Sequence, residues 1–216
     1  MARVLHVPPG RAGRLWLEHR LSTAQRGADL LDHKLRILRA ERERLTVQRD
    51  RTAAAWEAAS READTWLLRA ALLGGERSVR LAATCTPATV RIIWDQSMGV
   101  RYPCETICTV PDTSPDAPPA TNAALVAARD CYRRVLQAAV QQAAVETAQR
   151  ILQVQETATR RRLRAIEDRW IPRLQEALAA VQFELDEEEH TDGVRLRWAA
   201  NNPAGAERDS HSEGQL

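Results

Sequence analysis

Residues 15–45, LWLEHRLSTAQRGADLLDHKLRILRAERERL, decide how this chain folds, because apolar residues recur there in alternating steps of four and three. A 3.5-residue repeat held over many turns predicts an α-helix that packs along a second helix in a left-handed coiled coil. Only Arg42, Arg49 and Thr52 interrupt the apolar seam. The whole seam comprises Leu17, Leu21, Ala24, Ala28, Leu31, Leu35, Leu38, Arg42, Leu45, Arg49, Thr52, Trp56, Ala59, Ala63, Trp66, Ala70 and Leu73.

A second long helix is predicted over residues 121–200, where Pro172 and Gly193 are the only helix breakers. Because a proline inside a helix removes a hydrogen bond and clashes with the preceding turn, we expect a bend or a wider turn near residues 168–172. The seam also slips there through successive four-residue steps, which locally unwind a supercoil. This seam is more polar and comprises Cys131, Val135, Ala138, Gln142, Val145, Gln149, Leu152, Glu156, Thr159, Leu163, Ile166 and Trp170.

The lengths of these helices determine the expected architecture. At about 1.5 Å per residue they would reach roughly 90 and 115 Å, which exceeds the diameter of a globule of this size. A short insert joins the two helices, so the second helix can fold back along the first at a small cost in loop entropy. The predicted fold is mainly α, with two long terminal helices in an antiparallel left-handed coiled coil and a short β-hairpin at the bend. The expected segments are an extended arm (1–12), a helix (13–74), the insert (75–120), a helix (121–200) and a disordered tail (201–216).

The insert has a different composition from the helices. Gly74 and Gly75 are typical of a helix end. Residues 88–103 combine β-branched residues with turn residues at 97–99, which predicts a β-hairpin. A proline-rich linker follows, and Thr121 or Asn122 is available as the N-cap of the second helix.

Composition favours a soluble intracellular protein. Charged residues make up 28% of the chain, no apolar run approaches the ~20 residues that span a bilayer, and no signal-peptide pattern opens the sequence. The cysteines form no C-x-x-C pair, so we expect no metal site, although a disulfide between Cys104 and Cys108 stays open as an alternative to reduced thiols. No catalytic or nucleotide-binding motif is present, and we expect no cofactor.

The balance of charge argues against nucleic-acid binding. The chain holds 31 basic and 29 acidic residues, with both signs interspersed along the helices. The arginine run at residues 160–164 could follow phosphates as a basic zipper does, but Glu156, Glu167 and Asp168 flank it. The acidic run at residues 187–190 is typical of a solvated helix end.

Three strings resemble the D subunit of the V-type and A-type rotary ATPases. GRLWLEHRLSTAQRGADLLDHK is similar to the family's opening helix, SMGVRYP to its central hairpin, and RRLRAIEDRWIPRLQEALAAVQFELDEEE to its C-terminal signature. The strings occur in the family's order and span roughly residues 11–190. The matching positions are Arg26, Gly27, Leu30, Leu31, Lys34, Met98, Gly99, Val100, Pro103, Ile171, Pro172, Arg173 and Leu174.

The resemblance implies a non-catalytic central rotor shaft that transmits torque between a catalytic hexamer and an ion-translocating membrane ring. The implied partners are the catalytic and non-catalytic hexamer subunits, a small companion F subunit in the central stalk, and a funnel subunit at the membrane. The chain would lie on the cytoplasmic side and would be peripheral rather than membrane-spanning. Arg42 and Arg49 would mark where the F subunit docks or where the helices separate. The arginines expected to face the hexamer are Arg11, Arg14, Arg20, Arg26, Arg160, Arg161, Arg162, Arg164, Arg169 and Arg173.

Two other classes of protein share part of this pattern. An F-type γ subunit also has long paired terminal helices, but its central portion is a full α/β domain that the short insert cannot supply. A general coiled-coil scaffold would explain the helices but not three ordered signatures. Self-association through the seam would identify the scaffold, whereas co-purification with an ATPase would identify the shaft.

Overall fold

The computed structural model describes residues 6–82, 87–111 and 122–201, and it confirms the mainly helical fold with a two-stranded insert. Within these ranges the elements are helix α1 (Gly10–Ala82), strands β1 (Thr89–Ser97) and β2 (Val100–Thr109), helix α2 (Ala123–Ala165), a π-helical turn (Ile166–Trp170) and helix α3 (Ile171–Asn201). Two compact units are present. Unit 1 consists of residues 1–31 and 162–216, and unit 2 consists of residues 32–161.

In unit 2, the helices α1 and α2 run antiparallel. The contacts show this directly, because the residue numbers of the α2 partners decrease as the residue numbers along α1 increase. Arg39 pairs with Glu156, Arg49 with Gln149, and Asp64 with Tyr132. The same direction holds for every interhelical pair described between them, so one register extends through the unit.

The core of unit 2 joins both helices to the hairpin. Leucines of α1 pack against apolar residues of α2, and Val100 and Tyr102 of β2 complete the cluster. A second cluster near the insert is formed by Ala70, Ala124 and Leu125, with Trp66 and Val79 packed against it. The buried members of the first cluster are Leu38, Leu45, Val100, Tyr102, Val145, Ala148 and Leu152.

The hairpin has a two-residue turn at Met98 and Gly99, within the loop predicted over residues 97–99, and Ser97 belongs to strand β1. Both residues have positive φ, 48° and 78°, which is the signature of a type I′ turn that matches the twist of the strands. Strand β2 continues past Pro103 to Thr109, six residues beyond the predicted end. The regular register from the turn places Pro103 opposite Trp94 at a non-hydrogen-bonded position, so the proline requires no ladder hydrogen bond. A bulge follows directly and places Glu105 opposite Ile93.

Two glycines form the corner at the end of the long helix. Gly75 has φ 74° and ψ 162°, which breaks α1, and helical structure resumes to Ala82. A Cβ on Gly74 would lie 2.5 Å from Ser78 Oγ and 2.7 Å from Asn122 Nδ2, so only glycine allows this close approach. Asn122 is the N-cap of α2, because its Oδ1 accepts a 2.8 Å hydrogen bond from the Leu125 N–H.

Unit 1 also pairs antiparallel segments. Arg11 of α1 contacts Glu189 of α3 at 3.0 Å, and Leu17 and Leu174 are fully buried. The expected wider turn before Pro172 is confirmed as the π-helical turn, in which the Ile171 N–H bonds to the Ile166 carbonyl. A π turn accommodates an extra residue within a helix.

The predicted seam matches the observed burial at most positions. On α1 the buried side chains before the glycine corner all lie on it, and on α2 its polar members Gln142, Glu156 and Thr159 are buried as well. The prediction was wrong at Trp56 and Leu73, which are 41% and 72% exposed; Leu73 lies just before the break at Gly75. Helix α1 begins at Gly10 rather than at residue 13. The predicted tail after residue 201 and most of the proline-rich linker lie outside the described residues.

Candidate interaction surfaces

A buried carboxylate and three arginines form the strongest polar cluster of unit 2. The Glu156 side chain is only 6% exposed. Its Oε1 lies 3.3 Å from Arg39 Nε and 2.5 Å from Arg160 Nη2, and its Oε2 lies 3.0 Å from Arg42 Nε. A buried carboxylate is tolerated only when cations and hydrogen bonds replace its lost hydration. The cluster therefore joins α1 to α2 by charge as well as by packing.

Two polar layers centred on glutamines follow along the same seam, each one heptad further toward the start of α2. Gln149 accepts a 3.3 Å hydrogen bond from Arg49 Nη1 and donates one of 2.9 Å to Thr46 Oγ1. Gln142 accepts a hydrogen bond from Thr52 and donates one to Glu146. Arg42 and Arg49 therefore bridge the helices, and the expectation that the helices separate at these arginines was wrong, because each has a polar partner on α2.

The predicted hexamer-facing arginines fall into different environments. Arg161, Arg162, Arg164 and Arg169 are exposed and have no ion pair or hydrogen-bond partner among the described residues. Arg160, by contrast, belongs to the Glu156 cluster. The sequence could not separate these neighbours, because a run of arginines does not reveal which one meets a buried carboxylate on the preceding turn.

The amino-terminal candidates all have local partners. Arg11 reaches Glu189, Arg14 Nε lies 2.9 Å from Glu18 Oε1, and Arg20 stacks 4.7 Å from the Trp16 ring centre. Arg26 donates to the Ser22 carbonyl at 3.4 Å. Arg173 is half-buried. These arginines cover the surface of unit 1 and do not converge on a single site.

The glycine of the first family signature opens a groove in unit 1. A Cβ added to Gly27 would meet nothing within 4 Å, and its φ is not positive. The groove beside it measures about 240 Å³. It is lined by Arg20, Thr23, Ala24, Gly27, Ile166 and Trp170, which brings the first and third signatures together.

The other signature positions have structural environments that differ in kind. Leu174 is fully buried, Leu31, Lys34, Ile171 and Pro172 are half-buried, and Leu30 is 70% exposed. In the hairpin signature, Met98 and Gly99 form the turn, while Val100 and Pro103 are buried. Leu30 is thus the signature residue of α1 with the most apolar surface left open to a partner.

Sequence reasoning missed a polar contact that fixes the hairpin on α1. The Tyr102 hydroxyl donates a 2.8 Å hydrogen bond to Glu41 Oε1, and Arg44 holds the same carboxylate at 2.6 Å. Burial, and then the bond to Glu41, raise the pKa of Tyr102 to about 12. The hydrogen bond from Arg44 lowers the pKa of Glu41. The only sequence signal was the Glu41 and Arg44 pair at helical spacing, which does not point to a residue of the insert.

A groove of unit 2 lies beside the glycine corner. It measures about 370 Å³ and is mainly apolar, with Arg129, Tyr132 and Arg133 among its lining residues. Leu67, Val79, Leu125 and Leu136 supply apolar surface there.

Three further observations concern metal binding, thiols and membrane spans. Within residues 6–82, 87–111 and 122–201, no group of three or more His, Cys, Asp or Glu side chains is arranged to hold a metal ion. Cys104, Cys108 and Cys131 are free thiols. None of the helices described has a stretch long and apolar enough to cross a bilayer.

Comparison with known proteins gives matches over nearly the whole chain. The family of ATP synthase D subunits matches residues 15–201. The D subunit of the V-type ATP synthase of Thermotoga neapolitana is 29% identical over 195 residues, which cover 89% of this chain and 96% of the relative. The D subunit of the V-type ATP synthase of Thermus thermophilus is 30% identical over 197 residues, which cover 88% of this chain and 86% of the relative. The protein of the same name from a second strain of that species gives the same values.

Proposed function

This chain belongs to the family of ATP synthase D subunits, and we propose that it is the central rotor shaft of a V-type or A-type rotary ATPase. In this role it transmits torque between the catalytic hexamer and the ion-translocating membrane ring, and it catalyses no reaction itself. The observation that carries the proposal is the family match over residues 15–201, which includes both long helices and the hairpin between them.

The internal contacts suit a part that carries load. In unit 2, Gln142, Gln149 and Glu156 of α2 each bond to α1, and Glu156 ties the helices through two arginines of α1, Arg39 and Arg42. Paired helices resist bending better than a single helix, which curves on its own. When torque is applied to one segment of such a helix pair, little of the energy is lost in bending before the torque reaches the next segment.

The outward arginines suit a surface that must move past its partners. Arg161, Arg162, Arg164 and Arg169 are exposed, and exposed ion pairs contribute little energy each and are screened by salt. Weak contacts of this kind avoid a deep energy minimum at any one angle. We assign these residues to the hexamer-facing surface, together with Arg11, Arg14, Arg20, Arg26 and Arg173.

The proposed partners are the catalytic and non-catalytic hexamer subunits, the small F subunit, and the funnel subunit that leads to the membrane ring. In this assembly the chain is peripheral to the membrane on its cytoplasmic side. It needs no cofactor for this role.

Affinity purification of the tagged chain under native conditions tests the assignment. We expect a hexameric ATPase and a small additional subunit to co-purify. Self-association of the chain without any ATPase subunit would contradict the proposal and favour a scaffold.

A coupling assay in the reconstituted complex tests the arginine surface. The variant Arg161→Gln/Arg162→Gln/Arg164→Gln should reduce ion transport per ATP hydrolysed, because it removes hexamer contacts without touching the Glu156 cluster. The matched control Arg51→Gln/Arg61→Gln/Arg77→Gln changes three exposed arginines on α1. Equal coupling in both variants would remove the proposed role of the arginine run.

A further inference from the structure

Strand β1 is the most exposed regular element of unit 2. All of its residues except Ser97 are exposed, although its sequence TVRIIWDQS is rich in β-branched and aromatic residues. Its only strand neighbour in the described chain is β2, which lies along one of its edges. An apolar strand with a free edge is a template for pairing with another strand.

The turn geometry identifies which main-chain groups point outward. A two-residue turn makes its flanking residues, Ser97 and Val100, a hydrogen-bonded pair, and pairs alternate from there. The N–H groups of Asp95, Ile93 and Arg91 therefore face β2. Those of Gln96, Trp94, Ile92 and Val90 face away. Pro103, which has no N–H, lies opposite Trp94, as this alternation requires.

One of the four outward N–H groups already has a partner. Gln96 donates its N–H to Asp95 Oδ1 at 2.7 Å, so pairing ends there. Val90, Ile92 and Trp94 remain, and these residues are 43%, 46% and 48% exposed. Every second residue of β1, from Val90 to Trp94, therefore has both an outward N–H group without a partner in the described part of the chain and an exposed apolar side chain. Only an extended strand can satisfy groups at this two-residue spacing.

We propose that the outer edge of β1 is a β-augmentation site that accepts an extended segment of another subunit of the same complex. This inference rests on the proposed function. The segment has apolar residues in alternation and a carboxylate facing Arg91, which is exposed and has no partner among the described residues.

Charge complementarity argues against a second copy of this chain as the occupant. The nearest carboxylate on β1, that of Asp95, already accepts the Gln96 N–H and lies 3.5 Å from the Tyr102 hydroxyl. A second β1 would therefore bring another arginine and no free carboxylate.

Amide hydrogen exchange resolved to single residues tests the proposal on the isolated chain and on the purified complex. In the isolated chain, Val90, Ile92 and Trp94 should exchange at least about tenfold faster than Arg91, Ile93 and Asp95, whose N–H groups are in the ladder. In the complex, the first three should slow by about tenfold or more. Unchanged exchange at these three residues, or slowing that depends on the concentration of the isolated chain, would overturn the proposal.

A pair of variants separates the main-chain donor from the side chain. Ile92→Pro removes an outward N–H and leaves the β1–β2 ladder intact, whereas Ile92→Ala keeps that N–H. We expect the proline variant to abolish the slowing at Val90 and Trp94 in the complex and the alanine variant to retain most of it. Equal slowing in both would overturn strand pairing, and the exchange data on the unmodified complex decide the question if the proline variant fails to fold. Failure of the unmodified chain to capture ATPase subunits would instead contradict the proposed function.

Discussion

Arginines of this protein occupy two contrasting regions, the interior Glu156 cluster and the exposed run that follows it. Arg160 lies in the first region and Arg161, Arg162 and Arg164 in the second, although the four lie within five consecutive positions. The helix turns successive side chains by about 100°, so only one of them reaches the carboxylate on the preceding turn. Composition alone therefore cannot tell which arginines stabilise the fold and which are open to a partner.

Removal of the Glu156 carboxylate from the interior region should cause the largest loss of stability. Glu156→Ala leaves three arginines without their shared partner and creates a cavity in the seam, so we expect a loss of about 3 kcal/mol in the free energy of unfolding. Urea denaturation followed by circular dichroism measures it. A change below about 1 kcal/mol would show that the arginines are fully satisfied by water and that the two regions differ less than their contacts indicate.

A second interior contact should give a smaller loss with a pH signature. Tyr102→Phe removes the hydrogen bond to Glu41 but keeps the ring, and we expect a cost of about 1.5 kcal/mol near neutral pH. Because folding raises the pKa of Tyr102 from 10.0 to about 12, the stabilisation is fully present below pH 10 and is lost as the pH rises through 12.

Folding lowers the pKa of Glu41, so its stabilisation is present above its usual pKa of 4.5 and is lost as the pH falls through the lowered value. These trends are measured by the unfolding free energies of the wild type and of the Tyr102→Phe variant between about pH 3 and about pH 11.5. A gap between wild type and Tyr102→Phe that stays constant above pH 10 would contradict the contact.

Neighbouring arginines provide the sharpest comparison of the two regions. Arg160→Gln should cost about 1 kcal/mol, because it weakens the cluster but leaves two other cations on Glu156. Arg161→Gln should change the free energy of unfolding by less than about 0.5 kcal/mol, as is usual at exposed positions. Thermal melts of the two variants in the same buffer measure these changes. Equal losses of unfolding free energy would contradict the distinction between the interior Arg160 and the exposed Arg161.

The smallest expected effect has the opposite sign. Gly27→Ala should stabilise the isolated chain by up to about 1 kcal/mol, because alanine favours the helix and its Cβ meets nothing within 4 Å. The control Gly74→Ala should destabilise it, because its Cβ would clash with Ser78 and Asn122. If Gly27→Ala is also destabilising, then the groove in unit 1 is required for packing rather than left open.

Periodicity predicted much of the fold because packing repeats along a helix. It identified the buried leucines of α1 and the polar seam residues of α2. Local composition predicted a loop at residues 97–99, a cap at Thr121 or Asn122 and a wider turn near Pro172, and the structure has the turn at Met98 and Gly99, the cap at Asn122 and the π-helical turn. Each of these features depends on residues close together in the sequence. Local rules are sufficient for them.

Contacts between distant segments could not be predicted in the same way. The sequence showed that Arg42, Arg49 and Glu156 were polar seam residues, but not which partners they meet across the helices, because this depends on the register. The extension of β2 past Pro103 depends on the pairing register of the hairpin, which places the proline opposite Trp94 at a position that needs no donor. The bond between Tyr102 and Glu41 depends on where the insert lies on α1, and no local pattern encodes it.

The π-helical turn at Ile166–Trp170 also affects how changes in chain length should be tolerated. A regular helix passes any inserted or deleted residue on as a rotation of about 100° to every side chain beyond it. A wide turn already holds one surplus residue, so deleting one there can restore ordinary α geometry and confine the disturbance to a single turn. Length variation among related proteins should therefore concentrate at this point of the C-terminal helix rather than in the heptads before it.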